Sequence, residues 1–354
     1  MQTPTPLTVS VIIVNYNGAG FLTDCIQSIF SQTVEPDQII FCDDASHDES
    51  IEIASSFENI TIVSQSVNIG PLHNVIAGIA KSFGDILLFI DSDDVWEIDK
   101  IEKTVRLFRS HPLVILASHG HIHVDAGNKA LPIHDATHRN ITEINNLTTN
   151  IFSRSELYRQ SIVFRKGGFW LGSAYSFRRS ALDLAKLLSL LDNIPSSRDA
   201  YGDLVIAPYL VFTNPYGLVA YSPDILLRYR RHYSSSTPVT GNVTTKLNTI
   251  RRIRQTNACT LSLFTTLQPL DASLTAVICR YQDIEKDYDY LETIYSGHKL
   301  LAAHRLLNLV PYFRAEKRLV KELVRCTLLL LFGPLTLCRL QHRRQVKLLG
   351  PSDL

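Results

Sequence analysis

Three carboxylates fall within four positions at the end of an apolar run, in Ile86-Leu-Leu-Phe-Ile-Asp91-Ser92-Asp93-Asp94. A short continuous apolar run reads as a buried strand. Stripping water from an unpaired carboxylate is costly. The strand is therefore expected to end at a cleft, where these acids meet a divalent cation. Hard oxygen ligands beside a diphosphate suit Mg2+ or Mn2+. The chain is thus a candidate for chemistry on a nucleotide-activated substrate.

The elements that must carry these acids are legible around them. Val9 to Val14 is a second apolar run, and it ends in Asn15-Tyr16-Asn17. Phe21, Leu22, Cys25, Ile26, Ile29 and Phe30 then recur at spacings of three and four, the mark of an amphipathic helix. Gln38 to Cys42 predicts a third strand, running into Asp43-Asp44-Ala45-Ser46-His47-Asp48. A helix around Glu49 to Phe57 follows, then a strand over Ile60 to Val63, then Asn68-Ile69-Gly70. Strand alternating with helix predicts an α/β fold with a mainly parallel, doubly wound, Rossmann-like sheet. Ligands of such sheets bind beyond the carboxyl ends of the strands. All three polar clusters lie there, so they can converge on one site.

Taken together, these motifs resemble family 2 glycosyltransferases with the GT-A fold. The likeness rests on Val11-Ile-Ile-Val-Asn-Tyr-Asn17, Asp43 to Asp48, Asn68 to Gly70, and Gly84 to Asp94 followed by Trp96 and Lys100. Gly172 to Arg179 and Tyr229-Arg-Arg-His232 resemble the family's acceptor-side signatures, so the likeness runs over about residues 8 to 236. It implies a GT-A catalytic domain over residues 1–235. It also implies inverting transfer of a sugar from a nucleotide-diphosphate donor, UDP or dTDP, to an acceptor hydroxyl. The resemblance points to rhamnosyltransferase-like, non-processive enzymes of bacterial surface glycan synthesis. The Gln-x-x-Arg-Trp motif of processive members is absent, which favours adding a single sugar.

Residue by residue, the resemblance places Asn15, Tyr16 and Asn17 against the nucleotide base and gives Asp44 a hydrogen bond from it. Val14, Asn68, Gly70 and Ser92 join them as donor-binding positions. Asp93 would coordinate the metal, and Asp91 would contact the ribose or the metal's water. Gly172 and Ser173 would floor the sugar pocket. Asp203 matches the general base, with Asp199 as the alternative. His232 would face the diphosphate or pack at the domain edge. Many relatives carry Glu or His before the base, but this chain has Gly202. That departure keeps open a catalytically inactive nucleotide-sugar-binding or scaffold protein.

The proposed chemistry needs these residue types. Breaking the anomeric bond builds negative charge on the leaving diphosphate, which a metal stabilises as a Lewis acid. An acceptor hydroxyl is a poor nucleophile near neutral pH, and a carboxylate in reach can take its proton. Plainer readings stand beside these. Asp43, Asp44 and Asp48 could cap the following helix. Arg178 and Arg179 read as a solvated helix start or as phosphate contacts. His119, His121 and His123 alternate, so on a strand they share a face, as a polar wall or as zinc ligands.

Composition bounds the rest. A chain of 354 residues can bury a sizeable core. A net charge of +1 offers no global basic field for nucleic acid. Six scattered cysteines without C-x-x-C spacing and a polar, Pro-rich start suggest reduced thiols and a cytoplasmic chain. Small polar residues from Ser234 to Asn242 read as a linker to a helical region over 236–354. Near its end, Leu328 to Leu337 is apolar, contains Gly333-Pro334, and is flanked by Arg325, Arg339, Arg343 and Arg344. A span needs about 20 apolar residues. Residues 319–349 are therefore expected either to pack on the protein or to touch the inner face of the cytoplasmic membrane. Membrane contact would suit a lipid-linked saccharide acceptor.

Overall fold

The structure is a computed structural model that describes residues 6–131, 150–159, 171–232, 242–315 and 318–349. It divides into two compact units, Met1–Arg230 and Arg231–Leu354.

The first unit alternates strand and helix as the apolar pattern requires. It runs β1 (Val9–Asn15), α1 (Ala19–Phe30), β2 (Gln38–Asp43), α2 (Ser50–Ser55), β3 (Ile60–Ser64), α3 (Pro71–Lys81) and β4 (Ile86–Asp91). Then come β5 (Val95–Trp96), α4 (Lys100–Ser110), β6 (Val114–Val124), β7 (Ile151–Phe152), α5 (Arg154–Arg159) and β8 (Ser176–Arg178). The unit closes with α6 (Leu184–Leu191), α7 (Gly202–Thr213) and β9 (Leu218–Arg230).

These strands form one sheet in the order β3-β2-β1-β4-β8-β6-β9-β5, with β7 also paired to β9. The long ladders are parallel: β1 with β2 and β4, β2 with β3, and β6 with β9. The short strands β5, β7 and β8 pair antiparallel. Val11, Ile13, Phe41, Leu88 and Ile90 are buried in one core with Leu22, Cys25, Ile26 and Ile29 of α1 and with Ile101 and Phe108 of α4. Each such side chain contributes about 1.5–3 kcal/mol when fully buried. Ile12, Ile40 and Leu87, the alternate residues, are equally buried. A strand covered on both faces reads as an unbroken apolar run, which is why β1 and β4 are visible in the sequence.

Two expectations fall within this unit. Arg179 is exposed at the start of a short helical turn, as expected of a solvated helix start, but Arg178 is half-buried and spent on backbone carbonyls. It donates to Val114 O at 2.9 Å and Phe108 O at 2.5 Å and lies over the Phe108 ring, so it ties β8 to α4 and β6. His119, His121 and His123 lie on β6 and are all buried. The rings of His121 and His123 pack against Tyr229 at 6.1 and 5.4 Å between centroids. They form no wall open to solvent.

The second unit is helical: α8 (Val243–Leu267), α9 (Leu274–Tyr295), α10 (Lys299–Asn308), α11 (Val310–Ala315) and α12 (Leu319–Leu349). Its core joins Ile250, Tyr290, Leu291, Ile294, Leu306, Phe313, Cys326 and Leu329. Buried Asp287 and Glu322 are both held by Arg318, at 2.6 and 3.1 Å, and Arg325 adds 2.6 Å to Glu322. Buried charges persist only when paired in this way. α12 is broken at Gly333, whose φ of +76° is non-helical. The apolar tail therefore divides by face: Leu329 and Leu337 are buried, whereas Leu330, Leu331, Phe332 and Leu335 are exposed. Among the described residues no helix is long and apolar enough to cross a membrane.

Candidate active site

The acidic cluster is built by the turn that ends β4. Ser92 N–H donates to Val14 O at 3.0 Å, which fastens the turn to β1, and Asp94 N–H donates back to Asp91 O at 3.0 Å. Reversing the chain this tightly brings carboxylate oxygens of Asp91, Asp93 and Asp94 within 4.8 Å of one another. Among the described residues this is the only such grouping of metal-ligating side chains, and β6's histidines do not form another.

Asp94, absent from the ligand pair expected above, is the most buried of the three. Its Oδ1 accepts the Arg230 N–H at 2.8 Å, and the Ser173 hydroxyl also bonds its carboxylate. Its Oδ2 has no hydrogen-bond partner. Arg230 is itself buried. It donates Nε to Asp93 O at 2.8 Å, pairs with Asp24 at 3.0 Å, bonds Ala126 O, and sits over the Phe21 ring. Lys100 is a second buried cation. Its Nζ donates to Ser173 O at 2.6 Å and lies 4.1 Å from the centre of the Trp96 ring. Ser173 in turn accepts the Asp91 N–H through Oγ at 2.9 Å.

Lys100 and Arg230 lie within the sequence motifs, but no role for either is legible there. A buried charge has no periodic signature. Only the fold shows that β9 returns its last residue to the β4 turn.

The electrostatics follow from burial and crowding. Desolvation pushes Asp91 well above the ordinary carboxylate range, and Asp93 and then Asp203 push it further. Desolvation likewise pushes Asp94 well up, with added repulsion from Asp93 and Asp91. Burial drives Lys100 well down, against the pull of Asp94. Three crowded carboxylates, one with an unpartnered buried oxygen, fit a hard divalent cation.

Asp203 lies in the first turn of α7. Burial raises its pKa to about 7, while hydrogen bonds from the backbone of Leu204, Asp203 itself and Gly172 hold it down. Gly172 lies against Asp91 as well, since a Cβ there would stand 3.1 Å from Asp91 Oδ2. Asp199 is exposed, on the segment preceding α7. Gly202, the departure noted in the sequence, is buried, and a Cβ there would meet Val75 Cγ2 of α3 at 3.2 Å. Close packing of two helices accounts for the glycine.

The loops after β1 and β2 lock together beside this cluster. Asp43 accepts Asn15 Nδ2 at 2.7 Å and the Ser46 hydroxyl at 2.5 Å, and Ser46 Oγ accepts the Asn17 N–H at 2.8 Å. Ala45 is held at a φ of +59°, a conformation that costs a non-glycine residue of order 1–3 kcal/mol. Asp44 accepts the N–H groups of Ile69 at 2.7 Å and Gly70 at 3.0 Å, and Asn68 Nδ2 reaches Asp44 O at 3.3 Å. Gly70 has a φ of +91°, and a Cβ would fall 1.6 Å from Arg198 O. Asp48 accepts from Ala19 N and from Ser50, so that acid does serve the helix starts. Tyr16 is 52% exposed beside this frame.

The structure thus brings Val14, Asn15, Asn17, Asp44, Asn68 and Gly70 into one bonded frame at the carboxyl ends of β1 and β2. It brings Asp91, Ser92, Asp93, Gly172, Ser173 and Asp203 together around the end of β4. His232 belongs to the second unit, two residues past β9.

Residues 10–180 match the family model described as Glycosyl transferase family 2. An uncharacterized glycosyltransferase of Nostoc sp. is 32% identical over 130 residues, which is 35% of this chain and 40% of that protein. The O-antigen chain rhamnosyltransferase RfbN of Salmonella typhimurium is 23% identical over 235 residues, covering 64% of this chain and 68% of its own. The chain spans less than half the length of the first curated relatives it matches. Among solved structures, S. aureus TarS 1-349 in complex with UDP aligns with a TM-score of 0.51 at 12% identity, over 81% of this chain and 72% of that one. That likeness is one of fold, and it is the mixed α/β arrangement with a mostly parallel sheet and C-terminal helices described above.

Proposed function

We propose that this chain, which belongs to glycosyl transferase family 2 through residues 10–180, transfers a single sugar from a UDP or dTDP donor to an acceptor hydroxyl, with inversion. The acceptor is a saccharide, free or lipid-linked, in bacterial surface glycan synthesis at the inner face of the cytoplasmic membrane. The observation that carries this reading is the meeting of Asp91 and Asp203 across Gly172. A metal-suited acid and a carboxylate poised near neutrality adjoin one backbone unit.

Asp93 and Asp91, with Asp94 beneath them, would hold Mg2+ or Mn2+. When bound, that ion neutralises charge developing on the leaving diphosphate. Arg230 and Lys100 fix the turn and the Ser173 carbonyl, so the acids keep their aim. Asp203 takes the proton of the attacking hydroxyl, and its raised pKa suits a base working near neutral pH. A single carboxylate acting as base on the acceptor hydroxyl supports one displacement and hence inversion. Asp44, whose two oxygens each accept one backbone N–H, retains lone pairs for a base N–H. Exposed Tyr16 offers a ring for stacking. The exposure of Asp199 favours Asp203 as the base.

A binding or scaffold protein without turnover is the second reading. Gly202 was its motive, and Gly202 has a packing reason. Incubation with a panel of UDP- and dTDP-sugars decides between the two. Release of nucleotide diphosphate with Mn2+, abolished by chelation, is expected. Donor-induced thermal stabilisation without any hydrolysis or transfer would establish the scaffold reading instead.

A further inference from the structure

We infer that the second unit docks on an anionic lipid surface through the exposed apolar face of α12 around its break at Gly333. This goes beyond the catalytic reading and does not depend on it.

The face is periodic. Val320, Leu323, Val324 and Leu331 are exposed at helical spacing, while Glu322, Cys326 and Leu329 on the opposite side are buried in the unit. At the break, Leu331 is 66% and Phe332 61% exposed, and Leu335 continues the patch. α10 extends it. Lys299 Nζ donates to Leu330 O at 2.8 Å, which sets the neighbouring Leu300, 85% exposed, beside the break. A soluble helix normally turns such residues inward and leaves polar ones outside. A contiguous exposed apolar patch marks an interaction surface.

Charge selects the occupant. Residues 231–354 carry eighteen Lys and Arg against nine Asp and Glu, a net +9, whereas residues 1–230 carry a net −8. Within 319–349 the sequence holds six basic residues and one acid. A second copy meeting this face symmetrically would set like charges against like. Anionic headgroups complement them, each basic residue near such a surface strengthening attraction about fivefold. The break at Gly333 suits an interfacial segment: the helix is not built to span, but Leu331, Phe332 and Leu335 can enter the headgroup boundary.

The test is flotation of the full chain with vesicles of phosphatidylglycerol and phosphatidylethanolamine, beside vesicles of phosphatidylcholine alone. Flotation with the anionic vesicles at low salt is expected. It should weaken strongly at about 0.5 M NaCl, where screening shortens the reach of surface charge. Leu331→Asp combined with Phe332→Asp should lower the partition coefficient at least about tenfold, with circular dichroism unchanged. If that pair perturbs the fold, Leu331→Ser alone is read, with a smaller loss expected. The inference is overturned if the protein stays with the soluble fraction at low salt, or if the folded variant floats as well as the parent. It is equally overturned if the chain is a dimer that the variant converts to monomer, with neither form floating.

Discussion

Gly172 stands against Asp91, where a Cβ would come within 3.1 Å of Asp91 Oδ2, and its backbone N–H bonds the carboxylate of Asp203. One peptide unit therefore spaces the metal-suited acid from the proposed base. A side chain at 172 would crowd Asp91 and require its carboxylate to give by a few tenths of an ångström.

The first prediction follows directly. Gly172→Ala should displace the Asp91 carboxylate by a few tenths of an ångström and tilt the Asp203 bond. Turnover should fall about a hundredfold, as small misplacements of reacting groups do, while the melting temperature changes little. Titration of Mn2+ in the presence of donor would show weakened metal affinity. Wild-type turnover in this variant would show that the proximity is incidental.

The second concerns pH. Burial raises Asp203 to about 7, so it is protonated below that value and ionised above it. A base must be ionised, and kcat/KM should therefore rise with pH through a limb centred near 7. Asp203→Asn should remove the limb and lower turnover at least about a hundredfold, the low end for general base catalysis, with donor affinity kept. The stability sign is opposite. The native state holds this proton between the ordinary carboxyl range and about 7, so wild-type stability falls as pH rises through that window. Denaturant melts across pH 4.5 to 7.5, about the titration range involved, should show a flatter profile for Asp203→Asn. An unchanged rate profile with Asp199→Asn inactive would reassign the base.

Much of the sheet was legible because β1, β2 and β4 are covered on both faces and read as unbroken apolar runs. The expected strand at Ile60 and helix at Glu49 also match β3 and α2 to within a few residues. α9 was read only as part of a helical region over 236–354, not as a helix of its own. Its apolar residues mix with Asp287, Asp289 and Glu292, and burial of Asp287 beside Arg318 is a tertiary fact. At the candidate site, motif and position named Asp91, Asp93 and Asp203, and the structure sets these three near one another. Asp94, Lys100 and Arg230 were not assigned, because partners such as Arg230 and Asp94 lie far apart in the chain and meet only through β9. The alternating histidines of β6 carried a correct strand period but a misleading polarity.

A third prediction tests Lys100, whose ammonium holds Ser173 O and faces Asp94 across the cluster. Lys100→Met keeps the length of the side chain and its stacking on Trp96 but removes the charge. Leaving the buried Ser173 carbonyl without its donor should destabilise the unit by about 1–3 kcal/mol, read from urea unfolding. Because Ser173 Oγ accepts the Asp91 N–H, donor affinity should drop as well. Stability within about 0.5 kcal/mol of the parent, the range of ordinary surface changes, would mean that the Ser173 carbonyl does not depend on Lys100.

The last prediction concerns Asp93, whose carboxylate repels both Asp91 and Asp94 more strongly than any other charge does. Removing it has two consequences of opposite sign. Without metal, Asp93→Ala relieves like-charge crowding, so the variant should melt at the same temperature as the parent or higher. With metal, it lacks a ligand. A cation that binds only the native state stabilises it by about 2.7 kcal/mol at a hundredfold excess over Kd, and the Mn2+-induced rise in Tm seen for the parent should be largely lost. Metal-dependent donor hydrolysis should disappear with it. These paired melts distinguish a ligand from a merely structural acid. A structural acid would lower Tm without metal and leave the Mn2+ increment intact. If Asp93→Ala melts lower than the parent in chelator yet gains the full increment in Mn2+, the cation is held by Asp91 and Asp94 alone.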